Sequence, residues 1–280
     1  MYLVAGATGN VGSEVVEHLL ASGEKVRVFT RDAGKVARWG DRVEVATGDF
    51  GDAASFAKAI AGARGAFVMN GALDIAAFRQ LVAAAKAGGT ARLVFLSTIL
   101  AGNPESEIGQ LHKVKEDAIR ESGLDGKFVR AGGFMSNSYQ WAESIKAKGV
   151  VYNALGTGKS APIAPEDIAA VAAKALTNGS VAGEIFEVTG AQLLSVPEQV
   201  DIVSRVLGKA VQCVDVPVES AVEGLIHNGV PAPVAAAVGQ SFAAIREGRG
   251  KLVTETVKKV TGQEPLTYDA WVKKHASRFA

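Results

Sequence analysis

The residues best suited to chemistry in this 280-residue chain lie at its start. Gly6, Gly9 and Gly12 stand at i, i+3 and i+6. They follow the short apolar run Tyr2 to Ala5 and precede an amphipathic segment in which Val15, Val16, Leu19 and Leu20 share a face. Strand, glycine turn and helix in this order open a dinucleotide-binding unit. Gly6 lets the chain turn sharply out of the strand, Gly9 lets a pyrophosphate approach the backbone, and Gly12 lets the helix pack closely on the strand. The N–H groups of the helix start, at Asn10, Val11 and Gly12 with Thr8 beside them, then face the phosphates. The bland alternative is a glycine-rich structural turn.

The other chemistry-bearing residues fall at the ends of further apolar runs, where an open α/β sheet binds its ligands. The run Lys25 to Thr30 leads into Arg31, Asp32 and Lys35. A cation at this corner suits the 2′-phosphate of NADP. Asp32 is the residue type that would read the 2′-hydroxyl of NAD, so NADP is expected and NAD is possible. After the run Val43 to Ala46, Asp49 and Phe50 either bracket an adenine or, for Asp49, cap the helix Ala53 to Ile60. Asn70 and Gly71 follow the run Ala66 to Met69 and are expected to meet the cofactor through their backbone. Ser97 and Thr98 end the run Arg92 to Leu96. They offer hydroxyls either to a substrate oxygen or carboxamide, or to local loop hydrogen bonds.

These elements repeat. A helix at Ile75 to Lys86, a helix at Leu111 to Glu121 and a sixth strand at Lys127 to Arg130 continue an alternation that predicts a doubly wound parallel α/β sheet of the Rossmann type with right-handed crossovers. Residues 1–133 are expected to form the dinucleotide-binding domain, with 150–190 adding sheet elements. Residues 134–149 and 191–280 are expected to form a smaller, helix-rich substrate lobe. Phe134, Met135, Asn137, Tyr139 and Trp141 read either as an apolar wall for a flat aromatic substrate or as a core stripe.

Composition narrows the class. Apolar residues make up 48% and charged residues 21% of the chain, as in ordinary globular proteins. A net charge of +1 gives no basic field for nucleic acid or an acidic membrane. Cys213 is the single cysteine, which excludes an intramolecular disulfide and a cysteine-based zinc site. The longest stretch without charge, Gly224 to Ile245, contains His227, Asn228, Pro231, Pro233 and Gln240, so it reads as two helices and a turn and not as a membrane span. The strand pattern starts at residue 2, no secretion signal is expected, and the cytoplasm is the default location.

The combination of motifs resembles the NmrA-like branch of the atypical short-chain dehydrogenases/reductases. The resemblance rests on Gly6-Ala-Thr-Gly-x-x-Gly12, on Arg31, on His112…Glu116…Ser122-Gly-Leu124 with Phe128-Val-Arg130 and Gly133-Phe-Met-x-Asn137, and on Thr261-Gly-x-x-Pro265 through Trp271. It spans nearly the whole chain. It implies a Rossmann domain, a small C-terminal lobe and a substrate between them. It also implies contacts from Gly133 and Phe134 to the cofactor, although Ala131 stands where many relatives carry proline.

The Tyr-x-x-x-Lys pair of ordinary short-chain dehydrogenases is absent after each tyrosine. In relatives a Lys or His at the position of His112 faces the nicotinamide, so the resemblance makes His112 the proton donor, with Lys113 and Lys115 as alternatives depending on the phase of the same helix and Ser97 as a hydroxyl partner. Histidine titrates near neutral pH and suits that task. His18, His227 and His275 show no metal spacing. The expected protein is an NADPH-preferring reductase of a quinone or conjugated carbonyl, with a small aromatic or quinone-like substrate and at most a second copy of itself, as a homodimer, for partner. Two alternatives stay open. One is a non-catalytic NADP-sensing regulator that binds a protein. The other is a tailoring reductase or hydroxylase component acting on a polycyclic aromatic natural product.

Overall fold

The computed structural model describes residues 1–69, 74–178 and 181–279. The expected alternation is present. In chain order the first part comprises β1 (Tyr2–Ala5), α1 (Asn10–Ala21), β2 (Val26–Thr30), β3 (Val43–Thr47), α2 (Ala53–Ile60), β4 (Gly65–Met69), α3 (Ile75–Ala87), β5 (Arg92–Thr98), α4 (Glu107–Ser122) and β6 (Asp125–Ala131). No α-helix joins β2 to β3. Ala33–Arg42 makes 3-10 turns broken at Gly40, whose φ is 52°, and no long helical face is buried there. The helix expected from Leu111 starts earlier, because the Ser106 hydroxyl accepts from Gly109 N–H and caps α4.

The second part comprises α5 (Ala142–Lys148), β7 (Val150–Asn153), β8 (Lys159–Ser160), α6 (Pro165–Thr177), β9 (Ile185–Val188), β10 (Leu194–Ser195), α7 (Val196–Leu207), β11 (Gln212–Asp215), α8 (Val218–His227), α9 (Ala232–Arg246), α10 (Thr256–Thr261) and α11 (Tyr268–Lys274). The helix expected over Ser138 to Lys148 is split, with 3-10 turns over Met135–Trp141 preceding α5.

Among the described residues, seven strands form one parallel sheet in the order β3-β2-β1-β4-β5-β6-β9. Of the 150–190 segment, β9 joins this sheet beside β6. β7 does not: it pairs with β11 in a separate two-stranded sheet of the lobe.

Strand side chains alternate between faces, and the core divides accordingly. Tyr2, Val4, Val28, Phe67, Val94 and Val129 pack with α1 and α6 on one side. Leu3, Ala5, Phe29, Val68, Phe95 and Phe128 pack with α2, α3 and α4 on the other. Helix α6 is buried along nearly its whole length, with Pro165 at its first turn. Proline suits that place because its missing N–H has no partner to lose there.

The lobe has its own core, in which Met135, Ile145, Val200, Tyr268, Trp271 and Phe279 are buried. Trp271 has no exposed surface, and its ring lies 5.2 Å from that of Tyr139 and 5.0 Å from that of His275. Among the described residues no helix is long and apolar enough to cross a membrane, and no group of three acidic, histidine or cysteine side chains is placed to hold a metal ion.

Because the lobe core is centred on Trp271, Trp271→Ala is expected to lower stability by about 3–5 kcal/mol. Urea unfolding followed by far-ultraviolet circular dichroism measures this. A loss below about 1 kcal/mol would mean that the aromatic cluster does not hold the lobe together.

Candidate active site at the carboxyl edge of the sheet

The glycine turn has the geometry its spacing demands. Gly6 adopts φ +75°, and a Cβ there would lie 2.1 Å from the Met69 sulfur. A Cβ on Gly12 would lie 2.2 Å from the Gly6 carbonyl oxygen, so α1 is pressed directly onto the turn. Gly9 differs: a Cβ there would meet nothing closer than the Gly6 oxygen at 3.4 Å. The space above Gly9 is therefore open. Gly9 N–H donates to Gly6 O at 2.9 Å and closes the turn. Helix α1 starts with no side-chain cap and no acidic residue in its first turn, which leaves its positive end for an anion. A dinucleotide pyrophosphate fits this cradle.

At the next strand end, Arg31 and Asp49 come together, with Arg31 Nε 3.7 Å from Asp49 Oδ2. The Arg31 side chain is 83% exposed, so the pair is a loose one and the guanidinium can turn to a phosphate. Asp32 is committed elsewhere: its carboxylate accepts from Gly34 N–H at 2.9 Å and caps the 3-10 turns. Lys35 is exposed on those turns. This division of labour fits a 2′-phosphate better than a 2′-hydroxyl.

Asp49 does not cap α2. Asp52 does, accepting from Ala54 N–H at 3.0 Å, while Asp49 accepts from Gly51 N–H at 2.7 Å. Phe50 is half-buried, its ring 5.3 Å from Phe29 and 5.9 Å from Phe56. Asn70 and Gly71 lie outside the described residues.

At β5 and α4 the structure revises the expectation. The Ser97 hydroxyl is turned inward. It is buried and donates to Glu116 Oε1 at 2.6 Å. Glu116 has no exposed surface, and it also accepts from Arg130 Nε at 2.9 Å and Arg130 Nη2 at 2.6 Å. Arg120 Nη2 approaches the same carboxylate at 3.4 Å. Thr98 spends its acceptor on Leu100 N–H in a local cap.

The phase of α4 puts residues 112, 115 and 116 towards the protein and turns Lys113 to Asp117 on the outside. Lys115 is buried, with its ammonium 5.6 Å from the Phe78 ring. Burial pushes its pKa down, and Asp74 partly offsets the effect.

His112 lies 6.1 Å, ring to ring, from Phe95 of β5, and its Nδ1 is 2.9 Å from the Ile108 carbonyl oxygen. A carbonyl only accepts, so Nδ1 carries the proton and Nε2 is the basic nitrogen of the neutral ring. Burial pushes the His112 pKa below its ordinary 6.5, and Lys115 adds to the fall; the bond to Ile108 and the charge of Glu116 oppose it.

The aromatic wall divides. Met135 is buried in the lobe core and Trp141 packs against it. Tyr139 stacks with Trp271 and Phe279, and loss of hydration pushes its hydroxyl up to about 12. Met135 is a core residue, and Tyr139 and Trp141 are partly buried against that core, because the 3-10 turns over Met135–Trp141 lie across the lobe's aromatic cluster. Phe134 and Asn137 stay nearer the edge. Phe134 is half-buried and bridged to Ile163, Asn137 is exposed, and Gly133 has open space above its Cα.

The site residues missed from the sequence are Glu116 and Arg130. Both stand in the motif that carries the family resemblance, but their pairing runs between a helix and a strand and has no local signature.

Two glycines separate folding from binding. Gly12→Ala is expected to destabilise the fold, since its methyl meets backbone 2.2 Å away. Gly9→Ala should leave the melting temperature within ~2–3 °C of the parent, as for a small change at a helix start, and weaken NADPH binding at least tenfold by calorimetry. Equal loss of stability in both variants would contradict this division. Arg31→Ala is expected to weaken NADPH by roughly 10–100-fold, the loss of one or two charge-assisted hydrogen bonds, and to leave NADH affinity within twofold.

Comparison with known proteins agrees with this geometry. The sequence model of the NmrA-like family matches residues 2–265. The chain is 36% identical over 282 residues to the (4-alkanoyl-5-oxo-2,5-dihydrofuran-3-yl)methyl phosphate reductase of Streptomyces griseus, covering 100% of this chain and 99% of that protein. It is 34% identical over 284 residues to the NAD(P)H azoreductase of Xenophilus azovorans, covering 100% and 99%. The NADPH-dependent quinone oxidoreductase of Escherichia coli, solved in complex with NADPH, shares the fold with a TM-score of 0.84 at 22% identity, over 99% of this chain and 100% of that one. By its fold, its motifs and these matches, this chain belongs to the NmrA-like family.

Proposed function

We propose that this protein is an NADPH-preferring oxidoreductase that reduces a conjugated, aromatic or quinone-like acceptor, with His112 as its proton donor. One observation carries the reading. The carboxyl edge of a single sheet holds both an uncapped, glycine-framed helix start with open space at Gly9 and, on the helix that follows β5, an imidazole whose Nδ1 is tied to Ile108. The relatives named above reduce an alkanoyl furanone phosphate and, with NAD(P)H, azo compounds. A conjugated acceptor is the chemistry those names have in common.

The nicotinamide cofactor supplies the hydride when bound. The protein's residues do the rest. The α1 N-terminus and the Gly9 backbone hold the pyrophosphate. Arg31 and Lys35 read the 2′-phosphate. Gly133, Phe134 and Asn137 border the nicotinamide side of the edge, where Thr98 also lies. Residues 1–133 with β9 carry the cofactor, and the lobe formed by 134–149 and 191–280 covers the substrate. The lobe reaches α4 directly: the Gln240 amide of α9 is 3.4 Å from Glu107.

His112 gives its proton through Nε2. A neutral His112 has that proton on Nδ1 and accepts at Nε2; only the imidazolium has a proton to give there. Its pKa is lowered, so the acid form is populated only below the ordinary value. Reduction should therefore slow as pH rises, over a range lying below the ordinary histidine value of 6.5, while product oxidation should speed up.

The test is NADPH oxidation across 1,4-benzoquinone, menadione and an azo dye, read at 340 nm. His112→Ala is expected to lower kcat at pH 6 by about 100-fold, the usual contribution of a positioned acid, and to abolish the pH dependence. Tight NADPH binding with no turnover on the whole panel would instead favour the cofactor-sensing regulator.

A further inference from the structure

We infer that Glu116 is the positioning residue for His112, joining the helix that carries the imidazole to the ends of β5 and β6. The inference rests on the reading of His112 as the proton donor. Glu116 is one helical turn beyond His112, so the two share a face of α4. Its carboxylate, without exposed surface, is gripped from three directions: Ser97 Oγ at 2.6 Å from β5, Arg130 Nε and Nη2 at 2.9 and 2.6 Å from β6, and Arg120 Nη2 at 3.4 Å from α4 itself. The other polar ties of α4 are more exposed: Lys113 and Arg120 pair with Asp117 on the same helix, Arg120 reaches Glu184 and Arg79 of α3 meets Glu121.

The starting turn of α4 is equally constrained. A Cβ on Gly109 would lie 2.0 Å from the Leu100 carbonyl oxygen, so the helix is seated against the 3-10 turn that follows β5. Seated at Gly109 and bolted at Glu116, the helix holds His112 between two fixed points. Neither its height above the sheet edge nor its rotation about the α4 axis can change without moving one of them.

The same carboxylate shapes the field at the imidazole. Among the described residues, the charged side chains that act on the His112 imidazole are Lys115 and Glu116 of α4; Arg130 of β6 and Arg120 hold Glu116, Glu187 of β9 lies 3.9 Å from Arg130, and the neighbouring ring of Phe95 brings no charge. Burial is the largest influence on the imidazole and lowers its pKa, Lys115 adds to the fall, and the bond to Ile108 and then the negative charge of Glu116 oppose it.

Two measurements test this. The first uses the cofactor-free full chain labelled at histidine and follows the His112 Cε1–H shift with pH by NMR, assigned by its absence in His112→Ala. Glu116→Gln is expected to lower the His112 midpoint, because it removes a negative charge that favours the imidazolium. An unchanged midpoint in a folded variant overturns the proposal.

The second is kinetic, with NADPH and 1,4-benzoquinone. Glu116→Gln should lower kcat about tenfold, the scale of a small misplacement of the acid, with the NADPH KM within twofold. In a His112→Ala background it should cost less than twofold. An equal cost in both backgrounds would make Glu116 a merely structural residue and overturn the proposal.

If Glu116→Gln does not fold, Ser97→Ala removes one anchor and leaves the Arg130 pair. It should move midpoint and kcat in the same directions by smaller amounts, and no movement in either overturns the proposal. A His112→Ala variant that keeps full kcat defeats the acid assignment itself, whatever the midpoint in Glu116→Gln shows.

Discussion

A charge with no exposed surface governs the centre of this molecule. Removing a carboxylate from water costs several kcal/mol, so Glu116 must be met by donors in fixed places. Two come from the Arg130 guanidinium in a forked arrangement and one from Ser97. Those donors sit on neighbouring strands in register, Ser97 opposite Arg130. The carboxylate from α4 closes a triangle between helix, β5 and β6 that only one placement of the helix satisfies. Removing one partner of such a buried pair leaves the other uncompensated, at a cost of about 3–5 kcal/mol. His112, one turn away on the same helix, inherits that rigidity.

The phosphate end of the site uses a different device. Nothing charged holds α1 on β1. The contact is steric: the absent side chain of Gly12 lets the helix rest on the Gly6 carbonyl, and the left-handed φ of Gly6 turns the chain under it. The result is a helix start without a cap, a feature that would be a defect in a helix with no ligand. The two ends of the site are thus rigid for unlike reasons, one through close backbone packing and the other through a buried ion pair. Both are suited to holding the glycine turn and His112 in a constant relation.

The lobe was harder to read in advance, and the residues of the expected aromatic wall show why. Phe134, Met135, Tyr139 and Trp141 have the composition of either a substrate surface or a core. Met135 became core, with Tyr139 and Trp141 packed partly buried against it, in a cluster that also takes Tyr268 and Trp271 from α11, more than a hundred residues further along the chain. Ser97 met a similar fate. A hydroxyl at the carboxyl end of a strand suits a ligand, but a buried carboxylate within hydrogen-bond reach claims it first, because an unsatisfied Glu116 oxygen would cost more than a lost contact to solvent or ligand.

Local pattern was enough for a good deal. The period-two strands, the helical apolar faces and the glycine spacing are properties of short segments, and from them the parallel sheet, the phosphate cradle and the cation at the β2 end followed. The identity of the seventh strand, the pairing of β7 with β11 and the inward phase of His112, Lys115 and Glu116 are decided by groups distant in the chain, and these the sequence left open. A segment records what it can bury or bond, but which partner it meets is settled only when the whole chain competes for the same donors and the same space. The glycines at the start needed no such partner, since their function depends on atoms they lack. Glu116 did, and its role became visible only when Ser97 and Arg130 were brought to it.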